Sequence, residues 1–374
     1  MKKQGIALAV AALFAAPAFA QSNVTISGLV KIGVEVHKLS GVEPGAASYQ
    51  NEYRLTDQSS RFIIAGTEDL GGGLKAFFQV DNRFRLDDGT GGEFAGGNSG
   101  LGLMGSFGKL TLGRWDLHYT EGSQIESARA LADPTIVSHG LLAQVNGTNI
   151  ARVSRSNNLI KYDTPSFNGF NATLAYSFNP AGDEGKYAPA AKGYSEDGAW
   201  NAAVRYVNGP INAGLSYWDY QVEGNPAAGA HQADQKALRG WFSYTLPMGL
   251  KLGLMVDQSK LRNTTGAHPA FGDFQKRTSW MLPVSYVFGA HAIYFNYGKA
   301  GRVSGNAPAA DKTKASQWVL GYDYALSKRT SVGVNYTKLS NDDNAAYNFK
   351  NVRGTAAVAG NDAQQFYVGI AHTF

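Results

Sequence analysis

Three groups of residues in this chain have the types and spacing to do chemistry. The first pairs a histidine with a nucleophile or an acid: Ser138–His139 and Asp116–His118. Hydrolysis needs such a set at fixed geometry, and neither pair sits in a recognisable catalytic motif. The second is "GLGLMG" at 100–105, which matches G-x-G-x-x-G. A dinucleotide site requires a strand before that motif and a helix after it. Here loop-like "DDGTGGEFAGGNS" precedes it and strand-like "SFGKLTLG" follows, so the glycines read as turn residues. The third is a set of charges. Basic Lys31, Arg61, Arg83, Arg114, Arg155 and Lys161 are spread over the first half of the chain, whereas Asp116, Glu121, Glu126 and Asp133 crowd one segment, with Arg129 among them. Facing one another across a narrow water-filled gap, opposite charges impose a transverse field that orients polar solutes and penalises apolar ones.

Composition removes other chemistries. The 374 residues include no cysteine, so thiolate metal sites, disulfides and cysteine nucleophiles are absent. The histidines at 37, 118, 139, 231, 268, 291 and 372 form no HxH or HxxxH pair, and neither a metal nor a cofactor is expected. The formal charge of +5 includes Lys2 and Lys3; without them the excess is +3, spread along the chain, which does not suggest a nucleic-acid binder. The Asp-Asp pairs at 87 and 342 read as solvated charge.

The charges must be held by some scaffold, and its elements are legible. "MKKQGIALAVAALFAAPAFAQ" has a basic start, an apolar middle and small residues at Ala18 and Ala20. It reads as a secretory signal peptide over 1–20, leaving 21–374 as one domain. Beyond it no stretch is apolar enough for a membrane helix, which needs about 20 residues. Alternation recurs instead. In "VTISGLVKIGVEV", Val24, Ile26, Val30, Ile32, Val34 and Val36 share one face, and Thr25, Ser27, Lys31 and Glu35 the other. Strand side chains alternate across the sheet, so each such run has an oily and a wet face. The pattern returns at Leu250/Leu252/Leu254/Val256, Leu238/Phe242/Tyr244/Leu246, Phe170/Ala172/Leu174/Tyr176, Trp280/Leu282/Val284/Tyr286/Phe288 and Trp318/Leu320/Tyr322/Tyr324. By this parity Lys31, Arg61, Arg83, Arg155, Lys161 and Asp163 fall on wet faces. Trp218, Trp241 and Tyr294 do too, too few aromatics to mark a substrate track.

Soluble sandwiches and solenoids also alternate, but their strands are usually about five or six residues long. These runs are nearly twice that, and aromatics such as Tyr162, Phe178, Trp200, Tyr217 and Phe288 stand at their ends. About ten tilted residues cross a bilayer as a β-strand, with aromatic girdles at both interfaces. Short turns ("LGGGL" 70–74, "SFG" 106–108, "SFNGF" 166–170, "VNGPI" 207–211, "LPMGL" 246–250, "FGA" 288–290, "SK" 327–328) alternate with long polar segments near 38–58, 84–99, 115–153, 179–199, 221–236, 261–276, 300–314 and 340–362. That rhythm predicts an all-β, transmembrane antiparallel β-barrel of about sixteen strands, with short periplasmic turns and long extracellular loops. A closed sheet leaves no unpaired edge in lipid.

"SSRFIIAGTEDLGGGLKAFFQV" (59–80), "GSFGKLTLGRW" (105–115), "RSNNLIKYDTPSFNGFNATLAYSF" (155–178) and the closing "YVGIAHTF" resemble, in order along the whole mature chain, the general diffusion porins of Gram-negative outer membranes, especially those of Neisseria, Bordetella and their relatives. The chain departs from that group at Ser27 and Lys31, where a tyrosine and an acidic residue are common. The resemblance implies a water-filled channel in the outer membrane for ions and small hydrophilic solutes, not an enzyme. It implies that the third loop, 115–153, folds inward and narrows the pore, with Asp116, Glu121, Glu126 and Asp133 facing a basic wall. Strict parity puts Arg114 on the lipid side with Leu110 and Leu112; the resemblance puts it in the wall beside Arg61 and Arg155, which requires a bulge or a strand end. Clustered arginines would favour anions modestly. The resemblance further implies a homotrimer, contact with lipopolysaccharide, and an address for the barrel-insertion machinery in the terminal Phe374. The rivals are a substrate-specific channel and, more remotely, a barrel enzyme built on the histidine pairs above.

Overall fold

The computed structural model describes residues 23–41, 49–90, 92, 94–127, 131–153, 155–180, 198–221, 233–263, 274–305, 311–349 and 358–374. The expected signal peptide over 1–20, Arg129 and parts of several long loops lie outside them. The described chain closes into a barrel of sixteen antiparallel strands. In chain order these are β1 (Asn23–Ser40), β2 in two pieces (Tyr49–Asp57 and Arg61–Gly71), β3 (Leu74–Arg83), β4 (Ser99–Gly105), β5 (Gly108–Trp115), β6 (Ser156–Asp163), β7 (Phe170–Ser177) and β8 (Gly198–Asn208). The second half comprises β9 (Ile211–Gln221), β10 (Ala233–Thr245), β11 (Leu250–Asn263), β12 (Phe274–Phe288), β13 (His291–Ala300), β14 (Ala315–Ala325), β15 (Thr330–Asn341) and β16 (Asp362–Thr373).

Alternation sets the two faces as expected. Leu215, Leu238, Leu252, Leu254 and Leu320 point out and stay exposed, whereas the residues between them face in and are buried. In lipid that outer band is solvated by acyl chains. Aromatics gather at both rims: Tyr176, Phe178 and Trp200 pack together near the loop side, and Tyr286, Phe288 and His291 stack near the short turns. Several strands run past the expected boundaries. β1 continues to Ser40 and β2 starts at Tyr49, so most of 38–58 is a paired hairpin rather than a loop; β11 and β12 likewise extend to Asn263 and from Phe274. Outside the membrane both faces meet water, the apolar alternation fades, and the pattern no longer reports the strand.

The barrel closes by pairing β1 with β16, from Leu29↔Thr373 to Ser40↔Asp362. Phe374 extends the ladder: Gly28 N–H donates to its carbonyl at 2.9 Å, and its own N–H donates to Gly28 O at 3.1 Å. Its ring lies on Gly28, where a Cβ would come within 2.3 Å of it. Below this point Asn23–Ser27 pair with the lower piece of β2.

The described residues of the segment 116–155 fold into the barrel. Their 3₁₀ turns, the single-turn α1 (Val137–Gly140) and a small hairpin at 144–149 form the packed core. Ile125, Val137, Leu141 and Leu142 bury against Trp241, Met255, Met281, Tyr294, Val319 and Leu339 of the wall. Leu117, Tyr119, Val145 and Ile150 bury against Trp218, Ala175, Ala199 and Ala237. Each large side chain covered in this way contributes about 1.5–3 kcal/mol. The loop thus covers the inner face of β7–β15 and touches β16 through Leu131 and Ala132, leaving the lumen open chiefly along β1–β3.

Candidate functional site

Two cavities run along that uncovered side. The larger, about 1010 Å³, is lined by Lys31, Arg61, Asp81, Arg83, Asn98, Asp116, Asp133 and Arg155 and reaches the short-turn mouth at Lys328 and Arg329. The smaller, about 370 Å³, is lined by Glu35, Thr56, Asp57, Arg85 and others toward the loop side. Ser59, Arg83, Asp133 and Arg155 line both. These side chains are the neck where the chambers meet.

The neck is built by interruptions in regular structure. β2 breaks at Gln58–Ser60, with Ser59 at φ +67°. The break turns Gln58 and Ser59 toward the loop: Gln58 Oε1 accepts from the Asp133 N–H at 2.8 Å, and Ser59 Oγ donates to the Asp133 carboxylate. Lys31 Nζ reaches Asp133 at 3.4 Å. On the other flank Arg155, just before β6, meets Asp116 at 3.2 Å, and Asp116 also accepts from Tyr119 Oη at 2.6 Å and Asn98 Nδ2 at 2.8 Å. Arg83 is paired with Asp81 at 2.9 Å. Arg61 lies in the field of Arg83 and Arg155 as well as Asp81 and Asp133, yet among the described residues it makes no hydrogen bond or ion pair. Within this cluster Arg61 is therefore the cation left without an ion pair among the described residues.

The structure thus brings Lys31, Arg61, Arg83 and Arg155 together with Asp116 and Asp133. It sets the other four expected constriction residues apart. Glu121 is buried in a forked pair with Arg205 of β8, with Nε to Oε2 at 2.8 Å. Glu126 is buried at the start of α1, where it accepts from the Val137 N–H at 2.8 Å, the Ser138 N–H at 3.2 Å and Ser138 Oγ. Burial pushes its carboxyl up to about 7 against those donors. Lys161 faces inward as parity requires, but it is bound to Asp163 near the short turns and lines neither cavity. Arg114 sits at the expected bulge: the β5–β6 register shifts between Gly113 and Trp115, and Gly113 has φ +141°. The bulge lets it donate to Gly96 O at 3.3 Å and to Asn157, along the wall rather than into the neck.

Two residues of this cluster, one in the neck and one beside it, lie outside the set expected from sequence. Asp81 shares its wet face with Gln79 and Arg83, so parity could have found it. Ser59 could not be found, because its orientation depends on a break that has no apolar signature. His118 turns away from Asp116. Its Nδ1 lies 2.9 Å from Ser216 Oγ and its Nε2 3.6 Å from Asp257, all three buried and lining neither cavity.

A closed sixteen-strand barrel, a loop folded onto its inner wall and a charged neck between two chambers define a transmembrane diffusion channel of the porin class. The chain belongs to the Gram-negative porin family, whose profile matches residues 7–344, and is an outer-membrane porin, a channel rather than an enzyme by class. It is 34% identical to outer membrane porin protein 32 of Delftia acidovorans across the full length of both chains. It is 28% identical to the major outer membrane protein P.IB of Neisseria meningitidis, over 88% of this chain and 91% of that one. Among solved structures it is similar to the anion-selective porin from Comamonas acidovorans, with a TM-score of 0.73 at 28% identity, covering 95% of this chain and all of that one. It also shares its fold with the trimer form of OmpT from Vibrio cholerae, with a TM-score of 0.68 at 14% identity, covering 94% and 99% of the two chains.

Proposed function

We propose that this porin passes small hydrophilic solutes through the neck at Ser59, Arg83, Asp133 and Arg155 with a modest preference for anions. The observation that carries the proposal is Arg61. Its neighbours Arg83, Arg155 and Lys31 are each matched to a carboxylate, so within this cluster Arg61 is the cation that, among the described residues, forms no ion pair. In a water-filled constriction an unneutralised arginine raises the local concentration of anions and depresses that of cations. The likeness to an anion-selective porin supports the same sign. Residues 1–20 act as the cleaved leader and 21–374 as the mature barrel. The assembled form is a homotrimer seated among lipopolysaccharide, inserted by machinery that reads Phe374. Reversal potentials of the purified channel in a KCl gradient across a planar bilayer test the selectivity; the potential should take the sign of chloride preference, and cation preference would refute the proposal.

A further inference from the structure

Behind the loop, away from both cavities, one carboxylate joins two buried arginines. Asp257 of β11 accepts from Arg239 Nε on β10 at 2.9 Å through one oxygen and from Arg277 Nη2 on β12 at 2.6 Å through the other; Ser259 Oγ adds a bond at 2.6 Å. None of the three charged side chains touches solvent. Other donors of the two arginines reach the loop backbone. Arg239 Nη1 reaches the carbonyls of His118, Tyr119 and Glu121 at 3.3, 3.0 and 3.2 Å, which belong to the limb leaving β5. Arg277 reaches Leu141 O at 3.0 Å, Leu142 O at 2.8 Å and Gln144 O, on the limb after α1. Carbonyls at the ends of short helical turns lack partners further along the helix, and here the guanidinium groups supply them. A planar guanidinium can span several of them at once, which a lysine cannot.

We infer that Asp257 is the positioning residue of the constriction, fixing through Arg239 and Arg277 where both limbs of the loop attach and hence how far Asp116 and Asp133 stand from the basic wall. The inference rests on the reading of this loop as the constriction. Asp257 touches no permeating ion, so a merely structural role would alter heat stability and leave the open channel unchanged. A buried ion pair that loses one partner leaves uncompensated charge, which is strongly destabilising locally.

The chain contains no cysteine, so a single Ser127→Cys on the cavity-lining part of the loop is a unique reporter of loop opening. In Asp257→Asn the rate at which a small thiol reagent modifies that cysteine should rise about tenfold, and single-channel records should gain sub-conductance steps. Unchanged reactivity would overturn the inference. Raised reactivity with a quiet, unaltered current would keep the clamp and refute the constriction reading on which it rests. If Asp257→Asn fails to reach the folded form, Arg277→Lys, which keeps the charge but loses the fork, gives the same two readouts: faster modification supports the clamp, and unchanged modification overturns it.

Discussion

Arg61 and Glu126 show how differently two charges of one site can be used. Arg61 faces the water path without a partner among the described residues, so its effect is long-range and screened. A unit charge about 5 Å from a passing ion is worth about 0.8 kcal/mol in a water-like dielectric, roughly fourfold in local ion concentration. Arg61→Gln should therefore lower the anion-to-cation permeability ratio by about an order of magnitude near 0.1 M salt, since anions lose and cations gain roughly fourfold each, and the difference should shrink toward 1 M, where the Debye length falls to about 3 Å. Reversal potentials at the two concentrations check both parts. Glu126 acts locally. Its carboxyl is raised from 4.5 to about 7, so the folded loop binds the proton more tightly than the unfolded chain does. The stability it contributes is complete below pH 4.5 and is lost as pH climbs toward 7. Thermal unfolding of the wild type should thus shift downward across that window, and Glu126→Gln should remove the slope; a parallel slope in the variant would contradict the assignment.

At the scale of elements, the bulge in β5 and the break in β2 matter more than any regular strand. Gly113 is held at φ +141°, where a Cβ would lie 2.5 Å from Ser99 O. Gly113→Ala should cost about 1–3 kcal/mol of barrel stability and misdirect Arg114 and Asp116; heat-induced unfolding with single-channel conductance measures both. The strands themselves were legible from alternation, and so was the count of about sixteen, because lipid on one side and water on the other enforce a period of two. The extracellular hairpins were not, since water on both faces removes the contrast. The covering of β7–β15 does leave a trace in the sequence. Trp218, Trp241 and Tyr294 face inward by parity, and an inward apolar residue in a water-filled barrel needs a cover; these three form the floor beneath the loop. Glu121 and Glu126 looked like pore residues because the loop's path, which buries one against Arg205 and the other against α1, depends on contacts between distant strands.

For the whole molecule, the decisive feature is the join of β1 to β16. Phe374 completes the ladder opposite Gly28 and rests its ring there. Deleting Phe374, or substituting Gly28→Val, should leave most of the chain unassembled in the periplasm; cell fractionation with a heat-shift assay reads the outcome, and normal insertion of the deletion would contradict the role given to the seam. The same join fixes an order in time. Gln365 donates to Glu35 across 330 residues of chain, a separation that places almost the entire protein between the two partners. Contacts so distant make folding slow, because chain entropy is lost before they repay it. No barrel closes until β16 has been made, so a chain stalled upstream of it carries a first strand paired with β2 along one edge and open along the other. Synthesis of the last strand is thereby checked by geometry: only a chain that includes β16 can close.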